Sequence, residues 1–113
     1  MKLRPHLYIL QADRRTPEPV ANAVEWAERF DDDSMRSVAF DIIDPRPDHR
    51  IEVSTVFIGI DYNVHRQGPP LLWETMVFGG AMDLKATRYA SYEAAIEGHR
   101  ATCAQVRAGL KPR

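Results

Sequence analysis

Ile51-Glu52-Val53-Ser54-Thr55-Val56-Phe57-Ile58-Gly59-Ile60 and Leu71-Leu72-Trp73-Glu74-Thr75-Met76-Val77-Phe78 are dense in β-branched and aromatic residues, and breakers bound both stretches. Such runs read as strands. Asp61 to Pro70 joins them. The spacing predicts an antiparallel pair at the centre of a small α+β domain. Residues alternate across a sheet. One face of the first strand then carries Ile51, Val53, Thr55 and Phe57, and the other Glu52, Ser54, Val56, Ile58 and Ile60. The second strand splits into Leu71, Trp73, Thr75 and Val77 against Leu72, Glu74, Met76 and Phe78. Neither shows the apolar-in, polar-out alternation of a half-exposed sheet, so both faces read as at least partly covered.

Working outward, Val38 to Ile43 is a preceding strand with Val38, Phe40 and Ile42 on one face, and Asp44 to His49 is a proline-rich turn. Leu7 to Leu10 is a first strand. Thr16 has the features of a helix N-cap, with Pro17 at the first helical position. Val20, Ala23, Val24 and Ala27 then repeat at helical spacing, widened by Trp26 and Phe30. After Gly79-Gly80, Lys85 to Tyr89 is a short edge strand. Ser91 caps a last helix whose apolar stripe is Tyr92, Ala95, Ile96, His99, Cys103 and Val106. Gly98 inside that helix points to close backbone packing. The expected order is β-α-β-β-β-(β)-α: an antiparallel meander of four to five strands with two helices on one face. If the first strand joined this sheet in parallel, its crossover would be right-handed.

A chain of 113 residues is expected to form one domain, residues 1–113. Its formal net charge of −1 offers no electrostatic footprint for nucleic acid or anionic membrane, although Arg46, Arg50 and Arg66 could make a local patch. No apolar run approaches the ~20 residues that span a bilayer. The N-terminal stretch does not read as a signal peptide. The one cysteine, Cys103, fits a reducing compartment, so the expected location is cytoplasmic.

Two helices can cover one face of such a sheet, and the chain has no further layer for the other. A homo-oligomer, a two-fold dimer first, would resolve this. The alternative is that loops and the tail cover the second face.

The Asp61–Pro70 loop is ten residues long, against the usual two to five for a hairpin. It carries Asp61, Tyr62, Asn63, His65 and Arg66, which with Arg88 form the candidate ligand-binding set. The alternative is a plain surface loop. Glu74 inside an apolar strand and His99 on an apolar helix stripe are candidate catalytic groups, with Asp61 as the third. Their structural alternatives are an ion pair of Glu74 with Arg88 and a satisfied core histidine. Cys103 lies four residues beyond His99, and mid-helix burial argues against a nucleophilic pair. The acidic run Asp31-Asp32-Asp33 reads as a solvated connector. Asp41, Asp44, Asp48 and His49 match no recognised ligand spacing, so no metal or cofactor is expected. Phosphate-binding, dinucleotide and common hydrolase motifs are absent from the sequence.

Ser54-Thr55-Val56-Phe57-Ile58-Gly59-Ile60-Asp61 and Pro69-Pro70-Leu71-Leu72-Trp73-Glu74-Thr75-Met76-Val77-Phe78-Gly79 together resemble a pattern in small proteins of bacteriophage and prophage genomes. Val24 to Phe30, Arg88-Tyr89 and Ser91 to His99 are similar to further parts of it, so the resemblance covers nearly the whole chain. The pattern usually has His after the Asp of the first motif, where Tyr62 stands here, and Trp at the position of Tyr92. This chain therefore lacks that His, with His65 near. The resemblance implies a phage-type accessory protein of a bacterial host and says little about chemistry. The leading expectation is a non-enzymatic homo-oligomer that binds a partner protein or small ligand through the 61–70 loop. The alternatives are a small hydrolase or transferase using Asp61, Glu74 and His99, and a structural virion or scaffolding component.

Overall fold

The computed structural model describes residues 5–30, 36–44, 46–62 and 67–110. The elements are β1 (Tyr8–Leu10), β2 (Pro17–Pro19), α1 (Ala23–Phe30), β3 (Ser37–Asp44), β4 (Ile51–Phe57), β5 (Trp73–Phe78), β6 (Ala86–Tyr89) and α2 (Tyr92–Ala108), with a 3-10 turn at Pro47–His49. The fold is α+β. An antiparallel four-stranded sheet runs β3-β4-β5-β6, and β1 and β2 form a separate two-stranded sheet.

The meander follows from the alternation of the central strands. Ile51, Val53, Thr55 and Phe57 are buried, whereas Glu52, Ser54 and Val56 are half-buried. β5 repeats the pattern with Trp73, Thr75 and Val77 inside. Both inward sets lie under α2, where Ile51, Val53 and Val77 pack on Cys103 and Val106, and Phe57, Leu72 and Trp73 on Ala95. Phe57 and Trp73 meet edge to face with centroids 5.2 Å apart. Truncating either to Ala would cost about 3–5 kcal/mol. Ser91 caps α2 by accepting from the Ala94 N–H at 3.1 Å.

The N-terminal third departs from the expected layout. Thr16 is not a helix cap: its hydroxyl donates to Asp13 Oδ2 at 2.5 Å, closing a polar turn. Pro19 disfavours helical backbone at Glu18, the residue before it, so Pro17–Pro19 runs extended and pairs with β1. The helix starts six residues later, where Asn22 Oδ1 accepts from the Glu25 N–H at 2.9 Å. Val20 is consequently buried in extended chain, and Val24 is 68% exposed rather than on the apolar stripe. β1 does not extend the main sheet. It is tied to the chain after β4 by the Leu7–Ile60 bridge and by the Tyr8 N–H donating to Gly59 O at 2.8 Å. Gly59 has φ +67°, and a Cβ there would meet Tyr8 O at 2.9 Å and the Phe30 ring. Phe30 stacks on Trp26 and leans on Phe57, which brings α1 to the α2 side of the sheet.

A second correction concerns β3. Register shifts at Ser37/Ala39 and Ile42/Asp44 mark bulges, which break the two-residue alternation. Val38 packs into the core, while Phe40 and Ile42 lie opposite Ser54 and Glu52 on the other face. That face also carries Val56, Glu74, Met76, Phe78 and Arg88, paired across the strands. Phe40, Ile42 and Phe78 are 52%, 43% and 41% exposed. Three large apolar side chains therefore remain at the surface on this face, among the polar residues Glu52, Ser54, Glu74 and Arg88.

Among the described residues, no helix is long and apolar enough to cross a membrane.

Candidate functional site

Among the described residues, a cluster of polar side chains lies between the sheet and α2. Thr55 and Thr75 stand directly opposite each other on β4 and β5, and their hydroxyl oxygens are 2.5 Å apart. Thr55 Oγ1 is 2.7 Å from His99 Nδ1. The far side of the ring, Nε2, is 2.7 Å from Asp41 Oδ2. One helical turn on, Cys103 Sγ is 3.8 Å from the same oxygen. Each side chain is placed by simple rules. Thr55, Thr75 and Asp41 point inward by strand alternation, and His99 and Cys103 share a helix face at i, i+4.

Burial is graded along this chain of groups. Thr55 and Thr75 are 0% and 1% exposed and His99 is 4% exposed, while the Asp41 side chain is 48% exposed. The His99 bond, helped by Arg107, holds the Asp41 carboxyl below its usual pKa, so it is an acceptor. His99 Nε2–H donates to it. In the neutral ring Nδ1 accepts from the Thr55 hydroxyl, which accepts in turn from Thr75. Burial pushes the Cys103 thiol up, and the Asp41 charge adds to this. Hydroxyl, imidazole and carboxylate form a relay, but its hydroxyl end lies in the core and its carboxylate end meets solvent. A nucleophilic relay needs the reverse, with the hydroxyl facing substrate. The arrangement satisfies buried polar groups and presents Asp41, His99 and Cys103 together at its outer end.

The sequence-predicted residues fall in different places. Glu74 is on the opposite face, where Arg88 Nε donates to Glu74 Oε2 at 3.0 Å, the structural pairing weighed for it. His99 sits in the core with both ring nitrogens partnered. Asp61 is buried, with its backbone N–H donating to His6 O at 2.8 Å. Tyr62 is exposed, and the Arg88 guanidinium lies 4.9 Å over its ring. The structure thus joins Arg88 to Glu74 and to Tyr62, and does not bring Glu74 to His99. Asn63, His65, Arg66 and the acidic run lie outside the described residues. Of the other acidic positions considered for a metal, Asp44 is clamped by Arg46, whose Nε donates to Oδ1 at 2.9 Å and whose Nη2 donates to Oδ2 at 2.5 Å.

Sequence reasoning passed over Asp41, Thr55 and Thr75 as members of one site. The signals were a lone carboxylate in an apolar strand and two threonines on inward positions of neighbouring strands. A cavity of about 310 Å³ was also missed; Ile9, Leu10, Arg29, Phe30, Arg36 and Phe57 line it.

No protein family, curated protein or solved structure matches this chain.

Proposed function

We propose that this chain is a phage-type accessory protein that works as a non-enzymatic binding module, assembled as a two-fold dimer through the open face of its four-stranded sheet. The accessory role rests on the motif resemblance. The assembly rests on one observation: Phe40, Ile42 and Phe78 are all more than two-fifths exposed on the face away from α2, in rows that run Ile42–Glu52–Phe78 and Phe40–Ser54–Met76 across the strands. Large apolar side chains exposed together on one sheet face mark interaction sites.

A second copy is the occupant the face suits. Its charges are already paired within the chain, Arg88 with Glu74 at 3.0 Å and Arg50 with Glu52 at 2.5 Å. Packing two copies face to face therefore buries no lone charge. The net charge of −1 opposes self-association only weakly. Two sheets packed this way interdigitate their side chains at a spacing of about 10 Å. Tyr62, beneath Arg88, sets the start of the 61–70 loop at the border of that face, where a partner or small ligand would be held between subunits.

Replacing Phe40 and Phe78 together by Asp tests the reading. Both side chains are exposed in the single chain, so the variant is expected to fold and to sediment as a monomer where the parent sediments as a dimer. A parent and variant of equal sedimentation coefficient would overturn it.

A further inference from the structure

We infer that Asp41, His99 and Cys103 form a binding site for a divalent metal ion of borderline softness, zinc in the first place. One carboxylate oxygen, one imidazole nitrogen and one sulfur lie within 4.8 Å of one another. These are the donor types that zinc takes. The assembly reading does not bear on this site, which lies on the α2 side of the sheet.

A metal ion would gather onto one centre three donors that now spread over as much as 4.8 Å. A tetrahedral ion with bonds of about 2.0–2.3 Å holds neighbouring donors roughly 3.3–3.8 Å apart. Cys103 Sγ and Asp41 Oδ2 are at 3.8 Å already, and His99 Nε2 and Asp41 Oδ2 must open from 2.7 Å. Asp41 has the freedom to do so, its side chain being 48% exposed. His99 and Cys103 are packed in the core and held one turn apart on α2. Thr55 grips the ring from behind through Nδ1 at 2.7 Å, leaving Nε2 aimed at the site. A hydrogen-bonded second nitrogen is the usual support for a metal-bound histidine. Three protein donors leave a fourth position open on the solvent side, beside Asp41.

Charge and proton balance both close. A carboxylate and a thiolate neutralise a divalent ion, so no net charge is left in a partly buried site. Asp41 is already ionised, and Cys103 gives its thiol proton to solvent. The His99 proton moves from Nε2 to Nδ1, and both hydroxyls reverse: Thr55 turns from His99 to donate to Thr75, and the Thr75 hydroxyl proton turns away from Thr55. One proton is released for each ion bound.

The test is titration of the reduced full chain with Co²⁺, read by absorption and by pH-stat. One ion per chain is expected, with the strong visible bands of tetrahedral cobalt, a thiolate charge-transfer band and release of one proton. Zinc should bleach these bands. Cys103→Ser should lose the charge-transfer band, and Asp41→Asn, at an exposed position, should bind at least tenfold more weakly. Thr55→Val should weaken binding by about 10–100-fold. Circular dichroism identifies variants that remain folded. The weak spectrum of the hexaaqua ion, a charge-transfer band surviving in folded Cys103→Ser, or binding without proton release would each overturn the assignment.

Discussion

Glu74 and His99 stand on opposite faces of one sheet. Glu74 meets Arg88 on the open face, and His99 meets Thr55 beneath α2. The two cannot share a proton. Glu74→Gln should therefore leave the His99 tautomer, read by nitrogen NMR, unchanged. The Arg88 side chain is 42% exposed, so solvent screens the pair and its loss should lower stability by no more than about 1 kcal/mol. A shift of the His99 resonances in Glu74→Gln would show a coupling the fold does not provide.

Asp44 introduces an acid dependence. Hydrogen bonds from the Arg46 side chain hold its pKa at about 2, below the ordinary carboxylate value. A group whose pKa is depressed on folding stabilises the fold above its unfolded pKa and loses that contribution as pH falls through the folded one. The stability difference between the parent and Asp44→Asn should be constant above about pH 5 and shrink as pH falls toward 2. Urea unfolding at several pH values measures this. A difference that does not change with pH would contradict the clamp.

Gly98 has a packing reason. A Cβ there would collide with the ring of Tyr89 on β6. Ala is favoured over Gly in a helix by about 1 kcal/mol, yet overpacking of this kind costs about 1–3 kcal/mol. Gly98→Ala should be destabilising overall in denaturant unfolding, and Tyr89→Leu in the same chain should recover part of the loss. A stabilised Gly98→Ala would refute the contact.

The start of α1 is equally testable. Asn22→Ala should cost about 1 kcal/mol by removing the cap. Thr16→Ala should leave α1 intact, because Thr16 serves the Asp13 turn. Equal loss of helix in the two variants would place the cap wrongly.

Legibility in the sequence followed the strength of local signals. The meander, the edge strand and the capped α2 are readable because β4 and β5 are dense in β-branched and aromatic residues between breakers and α2 carries one helical stripe behind a Ser cap. β3 was misread from a local cause: its bulges reset the alternation, and nothing in Val38 to Ile43 announces them. Thr16-Pro17-Glu18 imitates a helix start, while Pro19 keeps Glu18 extended, so the first helix begins later than the local pattern predicts. The relay was harder to see. Asp41 and His99 are 58 residues apart, and only the strand register that sets Thr55 opposite Thr75 brings its members together. Glu74 drew attention because it is charged within an apolar strand, a pattern that an outward ion pair produces equally well.

The central claim is that the open sheet face is covered by a second copy of this chain. Molar mass in solution, measured by light scattering over a dilution series, addresses it most directly. The account predicts twice the 12.9 kDa chain mass at high concentration, falling toward one chain only on strong dilution. A mass of one chain at every concentration would contradict it, and Phe40, Ile42 and Phe78 would then be exposed in the working protein.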